Sequence, residues 1–495
     1  MGRKWLCLLL AMCLFLSASA AERPKMPEGR RRALLIGADY FVSQPDTWPA
    51  AENNLKLLAD TLLQDQRGYS LIRSMPGTVA TLEDFEAAVK DAFFGAKPED
   101  TSLLYISTHG IFDENMGTAN AALLLSDGER EERLEAENLQ RILDAVPGKK
   151  VLILDACNSG AFIGKGLSGG ADRVFFTGRE YKVLCSAGGS EASWYWQSGN
   201  EGSVRGASYF ATVLSDGLGK GGNHEADQNH DGLITLRETY AYLCDNYAAS
   251  TPQVYPQEDD GFILYAYDPE AIIQPQKAVT GITFEDTVLT AGESQATFSF
   301  TLHRQTELYY QIVYHQEGKW QFAQAQQFLD GEQQDGTTLP GRKQRTLSLD
   351  TGAEDAYGYA MILLITREGE ETQLQGSRLL CVQPAQGEVA LAVKTTAACI
   401  PMNGQEICIL AQHDVPCALT VNILDGDGKL VRRLAYAAPS RPQQMSPSAN
   451  AFYWDGRTNS GEWAPPGRYT AQVRTRIGGK TYLAASEPFE ILETH

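Results

Sequence analysis

Two side chains that can do covalent chemistry follow buried-strand patterns at similar positions. His109 comes just after the apolar run of "SLLYISTHG" (102–110), and Cys157 comes just after that of "VLILDACNSGAF" (151–162). If these runs are neighbouring parallel strands, joined by a right-handed crossover through "RLEAENLQRILDAV", their ends lie about 5 Å apart. An imidazole beside a thiol stabilises the thiolate, so the pair supplies the parts of an acyl-transfer site.

Each of the two residues also has a purely structural interpretation. Free cysteine is among the most buried residue types, and a histidine after a strand is often a surface turn residue. The pair is more specific than either member, because the two residues lie 48 positions apart and Cys157 lies in an acid-Ala-Cys-x-x-Gly turn. We therefore take His109 and Cys157 together as the candidate catalytic pair.

The elements that must position this pair follow an alternating pattern. Between residues 30 and 267, helical spacings such as that of "TLEDFEAAVKDAFF", with Thr81 as the expected N-cap, separate short apolar runs. The strand-like runs lie at 33–37, 69–74, 102–107, 151–155, 182–187 and 261–267. Such alternation predicts an α/β domain, a mostly parallel sheet with helices on both faces.

The pattern changes after residue 270, where alternating apolar and polar residues replace helical spacing. Residues 279–385 predict an antiparallel β-sandwich, and residues 386–495 predict a second all-β unit. In that unit, "FYWDGRTNSGEWAPPGRY" resembles the closing segment of the immunoglobulin-like module of flagellar hook-capping proteins, and Trp454 and Tyr469 are expected to pack there. Such a module implies spacing or cell-surface association. We thus expect a catalytic domain at 30–270 followed by two β modules.

The first half of the chain resembles the caspase-like cysteine peptidases, specifically their bacterial metacaspase-type branch. The resemblance rests on "RRALLIGADYF", "YISTHG", "LILDACNSGAF", "GASYFATVLSDGL" and "STPQVY", and on a histidine about 50 residues before the cysteine. It implies that His109 is the general acid and base and Cys157 the nucleophile. It also implies an oxyanion hole from the backbone N–H groups of Gly110 and Cys157.

The same resemblance implies a substrate pocket. An acid two residues before the cysteine, here Asp155, lines the pocket for the side chain preceding the scissile bond and favours Arg or Lys. The family usually adds a second acid in the first helix, where this chain has Asn54, and often has His where this chain has Asn158. A turn-capping role for Asp155 is the alternative. Trp194, in "SEASWYWQSG", is expected near the substrate groove, although such aromatic residues often only pack.

A glycine-rich segment after the nucleophile, "GKGLSGGADRVFFTGRE", holds Lys165, Arg173 and Arg179. Caspase-like enzymes are commonly processed in this region, and an enzyme specific for basic residues can cut it itself. A flexible surface loop is the equally weighted alternative.

The segment "DQNHDGLITLRE" (227–238) matches the EF-hand loop pattern. Its expected calcium ligands are Asp227, Asn229, Asp231, the carbonyl of Leu233, Thr235 and Glu238. A lone loop predicts weak binding of a structural Ca²⁺, and the chemistry itself requires no cofactor. Helix capping without metal is the alternative.

Composition limits the classes of partner. The formal net charge of −20 and the lack of a basic stripe argue against nucleic acid. Residues 1–20 have the basic start, short apolar run and small residues of a secretory signal peptide, and no later run is long enough to span a bilayer. We therefore expect a secreted, extracellular or cell-envelope protein without a transmembrane segment.

In an exported protein, cysteines are expected to pair. Asn403-Gly404 is a strong two-residue hairpin signal, and counting outward places Cys399 opposite Cys408. We expect a disulfide between them. An odd number of cysteines remains after signal removal, and Cys157 is the candidate for the free thiol.

The sequence thus predicts a secreted cysteine endopeptidase that cuts peptide bonds after Arg or Lys through an acyl-thioester. The alternative is a catalytically silent caspase-like domain in an extracellular binding or adhesion protein. A serine hydrolase is disfavoured because the Gly-x-Ser-x-Gly match, at residues 166–170, lies within a glycine-rich segment and not directly after a strand-like apolar run, where a nucleophile elbow belongs.

Overall fold

The structure is a computed structural model of the chain. It describes residues 29–492 except for the segments 46–48, 168–170, 172, 199–204, 221, 248, 259–260, 271–276, 292–294, 317–318, 323–326, 330, 349–357, 369–370, 397, 400–404 and 441–449. The predicted signal peptide at residues 1–20 lies outside the described residues.

The N-terminal half of the chain alternates strands with helices. In chain order its strands are β1 (Arg31–Gly37), β2 (Leu71–Pro76), β3 (Thr101–Ser107), β4 (Gly110–Ile111), β5 (Ala122–Ser126), β6 (Glu131–Glu135), β7 (Lys149–Asp155), β8 (Tyr181–Cys185), β9 (Tyr195–Ser198), β10 (Arg205–Ser208), β11 (Leu233–Thr235), β12 (Gln253–Tyr255) and β13 (Ile263–Ala266). Its helices are α1 (Ala51–Leu62), α2 (Leu82–Ala92), α3 (Ala136–Asp144), α4 (Tyr209–Gly217) and α5 (Leu236–Asn246). Short 3₁₀ turns lie at Glu114–Met116, Thr118–Asn120 and Ser159–Ile163.

A six-stranded sheet forms the centre of this domain, in the order β12-β8-β7-β3-β1-β2. The strands from β8 to β2 run parallel to one another, and only β12 at the edge is antiparallel to its neighbour. Every residue of β1 and β3 is buried, which explains their unbroken apolar character, since both faces of the sheet are covered. The prediction of a mostly parallel sheet is confirmed.

Helices cover both faces of the sheet and form two apolar cores. On one face, Phe85 of α2 and Leu139 of α3 pack against the sheet, and on the other, Leu55 of α1 and Phe210 of α4 do so. Helix α2 begins where the sequence predicts, since the Thr81 side chain accepts a hydrogen bond from the backbone N–H of Asp84 in a capping box.

One of the predicted strand-like runs lies outside the central sheet. The run at 261–267 forms β13, but it pairs with β11 in a separate antiparallel ribbon, and β12 takes the edge place in the central sheet. The run is apolar because Tyr265 and its neighbours are buried beside the helices, and burial alone does not specify which strand is the partner. Two further small sheets, β4-β5-β6 and β9-β10, lie in the connections around the central sheet.

The middle module is all-β, as predicted. Its strands are β14 (Val279–Phe284), β15 (Val288–Thr290), β16 (Gln295–Leu302), β17 (Glu307–Gln316), β18 (Lys319–Phe322), β19 (Gln327–Leu329), β20 (Gly341–Ser348), β21 (Gly358–Glu368) and β22 (Glu371–Gln383). They form the sheets β14-β16-β20 and β15-β22-β21-β17-β18, the latter with β19 on β17. Phe298, Ile312 and Leu380 pack in the shared core.

The C-terminal module is also all-β. Its strands are β23 (Leu391–Thr395), β24 (Ala398–Cys399), β25 (Ile407–His413), β26 (Cys417–Asp425), β27 (Leu430–Ser440), β28 (Ala451–Trp454), β29 (Gly467–Ile477), β30 (Lys480–Ala485) and β31 (Phe489–Ile491). They form the sheets β23-β25-β28 and β24-β31-β29-β26-β27, the latter with β30 on β29. Trp454 and Tyr469 pack edge to face in the core, as the sequence predicts.

The predicted disulfide between Cys399 and Cys408 is wrong, and both residues are free thiols in this structure. Cys399 in β24 pairs with Ile491, whereas Cys408 in β25 pairs with Tyr453 in the other sheet. The chain therefore changes sheets near residue 399, and the Asn403-Gly404 signal, which lies outside the described residues, does not set a continuous hairpin register.

Within the described part of the chain, we find no helix of the length and apolar character needed to cross a bilayer.

Candidate active site

The register of the central sheet brings the two candidate catalytic residues to one edge. Strands β3 and β7 are parallel neighbours, and Ser107 at the end of β3 lies opposite Asp155 at the end of β7. His109 and Cys157 each follow two residues later, so they leave the sheet side by side. The neighbouring placement expected from the sequence is confirmed, and a hydrogen bond from the Thr108 N–H to the Asp155 carbonyl (3.3 Å) continues the contact beyond the strands.

Both residues line one open pocket with about 570 Å³ of empty space. The pocket also contains Asp155, Asn54 and Trp194, the three residues predicted to bind substrate. Its remaining lining residues are Ala38, Asp39, Phe41, Ala50, Ala51, Ser107, Thr108, Ala156, Ser193, Tyr195 and Ser208. Segments far apart in the sequence thus meet where the strands end, the usual place for sites in open parallel sheets.

The thiol of Cys157 contacts the backbone of Ser193. The Ser193 N–H donates to Sγ at 3.4 Å, and the carbonyl of Ser193 accepts from the thiol at 3.8 Å. Burial raises the pKa of Cys157 above its usual value, and the nearby charge of Asp155 raises it further. The resting residue is therefore a thiol at neutral pH, and it needs a base to become a nucleophile.

The imidazole of His109 is suited to that task. Burial lowers the pKa of His109 below its usual value, so the ring is neutral at neutral pH and can accept a proton. Its ring packs against that of Phe41, and its backbone carbonyl accepts a hydrogen bond from the Leu124 N–H at 2.9 Å. These contacts hold both the backbone and the ring of His109 in place.

Gly110 lies directly against the backbone of Cys157. A Cβ atom at this position would be 1.7 Å from the carbonyl oxygen of Cys157, so only glycine fits. The backbone of β4 can therefore approach Cys157 closely, which is the proximity that a shared oxyanion hole requires.

Asp155 and Asn54 are buried residues that line the pocket, and Ser208 joins them. The Asp155 carboxylate accepts hydrogen bonds from the hydroxyls of Tyr105 (2.8 Å), Ser208 and Ser193 (3.4 Å). Asn54 accepts from the Ser208 N–H at 2.8 Å. Burial raises the pKa of Asp155, and the hydroxyl donors oppose that shift because they stabilise the carboxylate.

The aromatic run at 194–196 divides between the pocket and the core. Trp194 and Tyr195 line the pocket, and the Tyr195 side chain is 40% exposed. Trp196 instead packs against the core and donates its indole N–H to Thr212 in α4 at 3.2 Å. Trp194 and Tyr195, which line the pocket together with Cys157, are thus accessible to a substrate.

Several pocket residues were not foreseen from the sequence. Asp39 and Phe41 follow β1 directly, so the rule that function gathers beyond strand ends would have identified them. Asp39 caps α1, accepting hydrogen bonds from the backbone N–H groups of residues 50–52 at 2.6 to 2.9 Å. Ser193 lies in a connection, and Ser208 ends the short strand β10 and caps α4, so neither follows a strand of the central sheet and only the tertiary structure brings them to the pocket.

The loop at 227–238 lies away from the pocket and is held by its own hydrogen bonds. Asp227 accepts from the backbone N–H groups of His230 (2.8 Å) and Gly232 (2.9 Å), and Glu238 accepts from the backbone N–H and hydroxyl of Thr235. Thr235 and Glu238 form the capping box of α5.

This arrangement corresponds to the capping alternative for the loop. Asn229 and Asp231 also accept backbone N–H groups within it, from Asp231 and Leu233. Among the residues that the structure describes, no group of three or more His, Cys, Asp or Glu side chains is arranged to hold a metal ion. Calcium binding by this loop stays a prediction.

Two segments of the chain match known protein families. Residues 30–282 match the caspase domain family, and residues 414–479 match the FlgD Ig-like domain. Caspase-1 from Spodoptera frugiperda is 15% identical, with 47% of this chain and 94% of that chain covered and a TM-score of 0.31. A Geobacter sulfurreducens protein is 16% identical, with 48% and 95% covered and a TM-score of 0.32. The search of curated proteins gave no match. Since the caspase match spans half of the chain, the protein belongs to the caspase-domain family of cysteine peptidases, and it carries an Ig-like module near its C-terminus.

Proposed function

We propose that the protein is a cysteine endopeptidase that uses Cys157 and His109. The observation that carries the proposal is the placement of both side chains in one pocket, two residues beyond paired positions of neighbouring strands. Family membership implies a protein or peptide substrate.

The chemistry begins with transfer of the Cys157 proton to His109. The sulfur then forms a bond to the scissile carbonyl carbon, and the backbone N–H groups of Gly110 and Cys157 hold the resulting oxyanion. The C–N bond breaks as His109 donates its proton to the leaving amine. Water, deprotonated by His109, then cleaves the thioester, which releases the acid and restores the thiol. No cofactor takes part in these steps.

The proposed specificity is for Arg, then Lys, before the scissile bond. Asp155 lies in the same pocket as the thiol. A carboxylate can accept two parallel hydrogen bonds from the guanidinium of arginine, whereas the ammonium of lysine interacts with it as a point charge. Because Asn54 takes the place of a second acid, the preference should be weaker than in relatives with two acids and should admit neutral side chains.

We also propose that the protein is exported, with residues 1–20 as its signal, and that the β modules associate with the cell surface. The net charge of −20 is compatible with a soluble exported protein.

The test is an assay of peptides that differ only in the residue before the scissile bond. Cys157→Ala should abolish turnover, while Cys244→Ala, which removes an exposed thiol outside the pocket, should leave it unchanged. A folded parent protein that cleaves none of the peptides and whose Cys157 resists a small alkylating reagent would instead support the catalytically silent alternative.

A further inference from the structure

Lys165, eight residues after the nucleophile, is a buried cation that contacts two domains. Its side chain is 3% exposed, and its Nζ contacts the Val254 carbonyl (2.7 Å), the Gln257 side-chain oxygen (3.0 Å) and the Glu406 carboxylate (2.6 Å). The ring of Tyr453 lies 4.6 Å from Nζ. Lysine is almost never buried unless it is paired, so Glu406 and Tyr453 of the C-terminal module supply what this position requires.

The same module also bonds to the backbone beside Lys165. The Tyr453 hydroxyl accepts a hydrogen bond from the Gly166 N–H at 2.6 Å, and the Glu406 carboxylate accepts one from the Gln257 N–H at 3.1 Å. Glu406 and Tyr453 thus hold both the segment that follows the nucleophile and the end of the central sheet near β12.

Residues 165–166 in turn hold the next loop of the catalytic domain. The Lys165 carbonyl accepts from the Gly189 N–H at 2.8 Å, and the Gly166 carbonyl accepts from the Ser190 N–H at 2.9 Å. The backbones are so close that a Cβ atom on Gly166 would lie 2.5 Å from the Cα of Gly188. Any movement of residues 165–166 must therefore displace residues 188–190.

The loop that contains residues 188–190 leads into the active site, whose lining from this part of the chain begins at Ser193. Asn158, next to the nucleophile, donates its side-chain amide to the Gly189 carbonyl at 2.8 Å. Ser193, at the end of the loop, contacts the Cys157 thiol and the Asp155 carboxylate. A continuous set of contacts thus runs from the C-terminal module to the nucleophile and the substrate pocket.

We propose that the C-terminal module is part of the catalytic unit, and that Glu406 and Tyr453 are positioning residues. By holding residues 165–166, they fix the loop 188–193 against Cys157 and the pocket. The inference rests on the proposed function for its catalytic consequence but not for its structural one. A module that only spaces or tethers the enzyme would have no effect on this loop.

The charge of Glu406 is the central requirement. Without it, Lys165 would be a buried charge that lacks its carboxylate partner, a state that a protein avoids by moving the charge toward water. Such a movement would carry residues 165–166 with it and release the loop at 188–193.

The experiment uses the full chain and two conservative variants with matched controls. Glu406→Gln removes the charge, and Tyr453→Phe removes only the hydroxyl that accepts from Gly166. Glu490→Gln and Tyr436→Phe are controls in the same module, since Glu490 pairs with Arg468 on the surface (3.1 Å) and Tyr436 is 68% exposed. Hydrogen exchange, Cys157 alkylation and kcat/KM on an Arg peptide are measured for all four.

We expect faster hydrogen exchange in the peptide 186–194 for both variants, because the Gly189 and Ser190 amides lose their fixed acceptors. The kcat/KM should fall about tenfold, as expected when one hydrogen bond that positions the site is lost, and the rate of Cys157 alkylation should change with it. The controls should match the parent protein in all three measurements.

Unchanged exchange at 186–194 in Tyr453→Phe, together with unchanged alkylation, would overturn the inference, even if Glu406→Gln does not fold. Faster exchange with unchanged turnover in an active parent would also overturn it, because the loop would then not position the site. If the parent has no peptidase activity, faster exchange and altered alkylation would still support the inference, and only the proposed function would fail.

Discussion

The phenyl ring of Phe41 packs against the imidazole of His109, with the ring centroids 4.4 Å apart and the planes tilted by 54°. Phe41 is buried in a small apolar cluster with Ala38 and Leu124, beside the pocket. Phe41 covers part of the imidazole, and burial lowers the pKa of His109. Phe41 is therefore a positioning residue for the proposed base.

Phe41→Ala should raise the pKa of His109 toward its ordinary value, because water then reaches the ring. The neutral fraction of His109 falls as its pKa rises, so turnover should drop more at pH 6 than at pH 8. An NMR titration in the Cys157→Ala background, with His109→Asn to assign the resonance, measures the shift directly. Phe94→Ala is the control, since Phe94 is 83% exposed; equal His109 pKa values in both variants would contradict the prediction.

Asp155→Asn should reduce kcat/KM for Arg peptides about a hundredfold, because a guanidinium would lose its charged partner in a desolvated pocket. Alkylation of Cys157 by a small neutral reagent should change far less, since that reagent needs no charge. Asp60→Asn, at an exposed pair with Lys56, serves as the control. The assignment of Asp155 to the substrate pocket would be wrong if the parent protein preferred Asp before the scissile bond, or if Asp155→Asn left cleavage after Arg unchanged. The proposed mechanism with Cys157 and His109 would not be affected.

Self-cleavage, if it occurs, should follow Arg173 or Arg179 and not Lys165. The two arginines are exposed, whereas the Lys165 side chain is buried against the C-terminal module and cannot enter a second molecule's pocket. Mass spectrometry of the fragments formed by the active protein, with Cys157→Ala as the uncut control, identifies the new N-termini. A fragment that begins at Gly166 while the module is intact would contradict this expectation.

Calcium at millimolar concentration should raise the melting temperature of the parent protein, with weak binding of about 10⁻⁴ to 10⁻³ M. Glu238→Gln should remove that increase and have little effect in chelator, because glutamine can replace glutamate in the capping box of α5. If calcium does not change the melting temperature of the parent, the loop serves only to cap the helix.

Local sequence patterns were sufficient to predict the parallel sheet and the neighbouring strands that carry His109 and Cys157. The apolar runs before His109 and Cys157 are buried strands, and they are parallel neighbours joined by a crossover that includes α3. Patterns of this kind report burial on both faces, and these two strands end at Ser107 and Asp155, where the sequence predicts. They do not report pairing, so they did not show that β13 pairs with β11 outside the central sheet. The hairpin count that placed Cys399 opposite Cys408 failed because the two residues lie in different sheets.

The sequence by itself determined the family, the two all-β modules and the residues at the strand ends, because periodicity and strand-end chemistry are local properties of the chain. Only the tertiary structure decided which distant segments complete the pocket and where the C-terminal module docks. Ser208 joins Asp155 to Asn54, and Glu406 pairs with Lys165, through contacts between residues far apart in the chain. Such contacts depend on the packing of whole elements, and no local pattern encodes them.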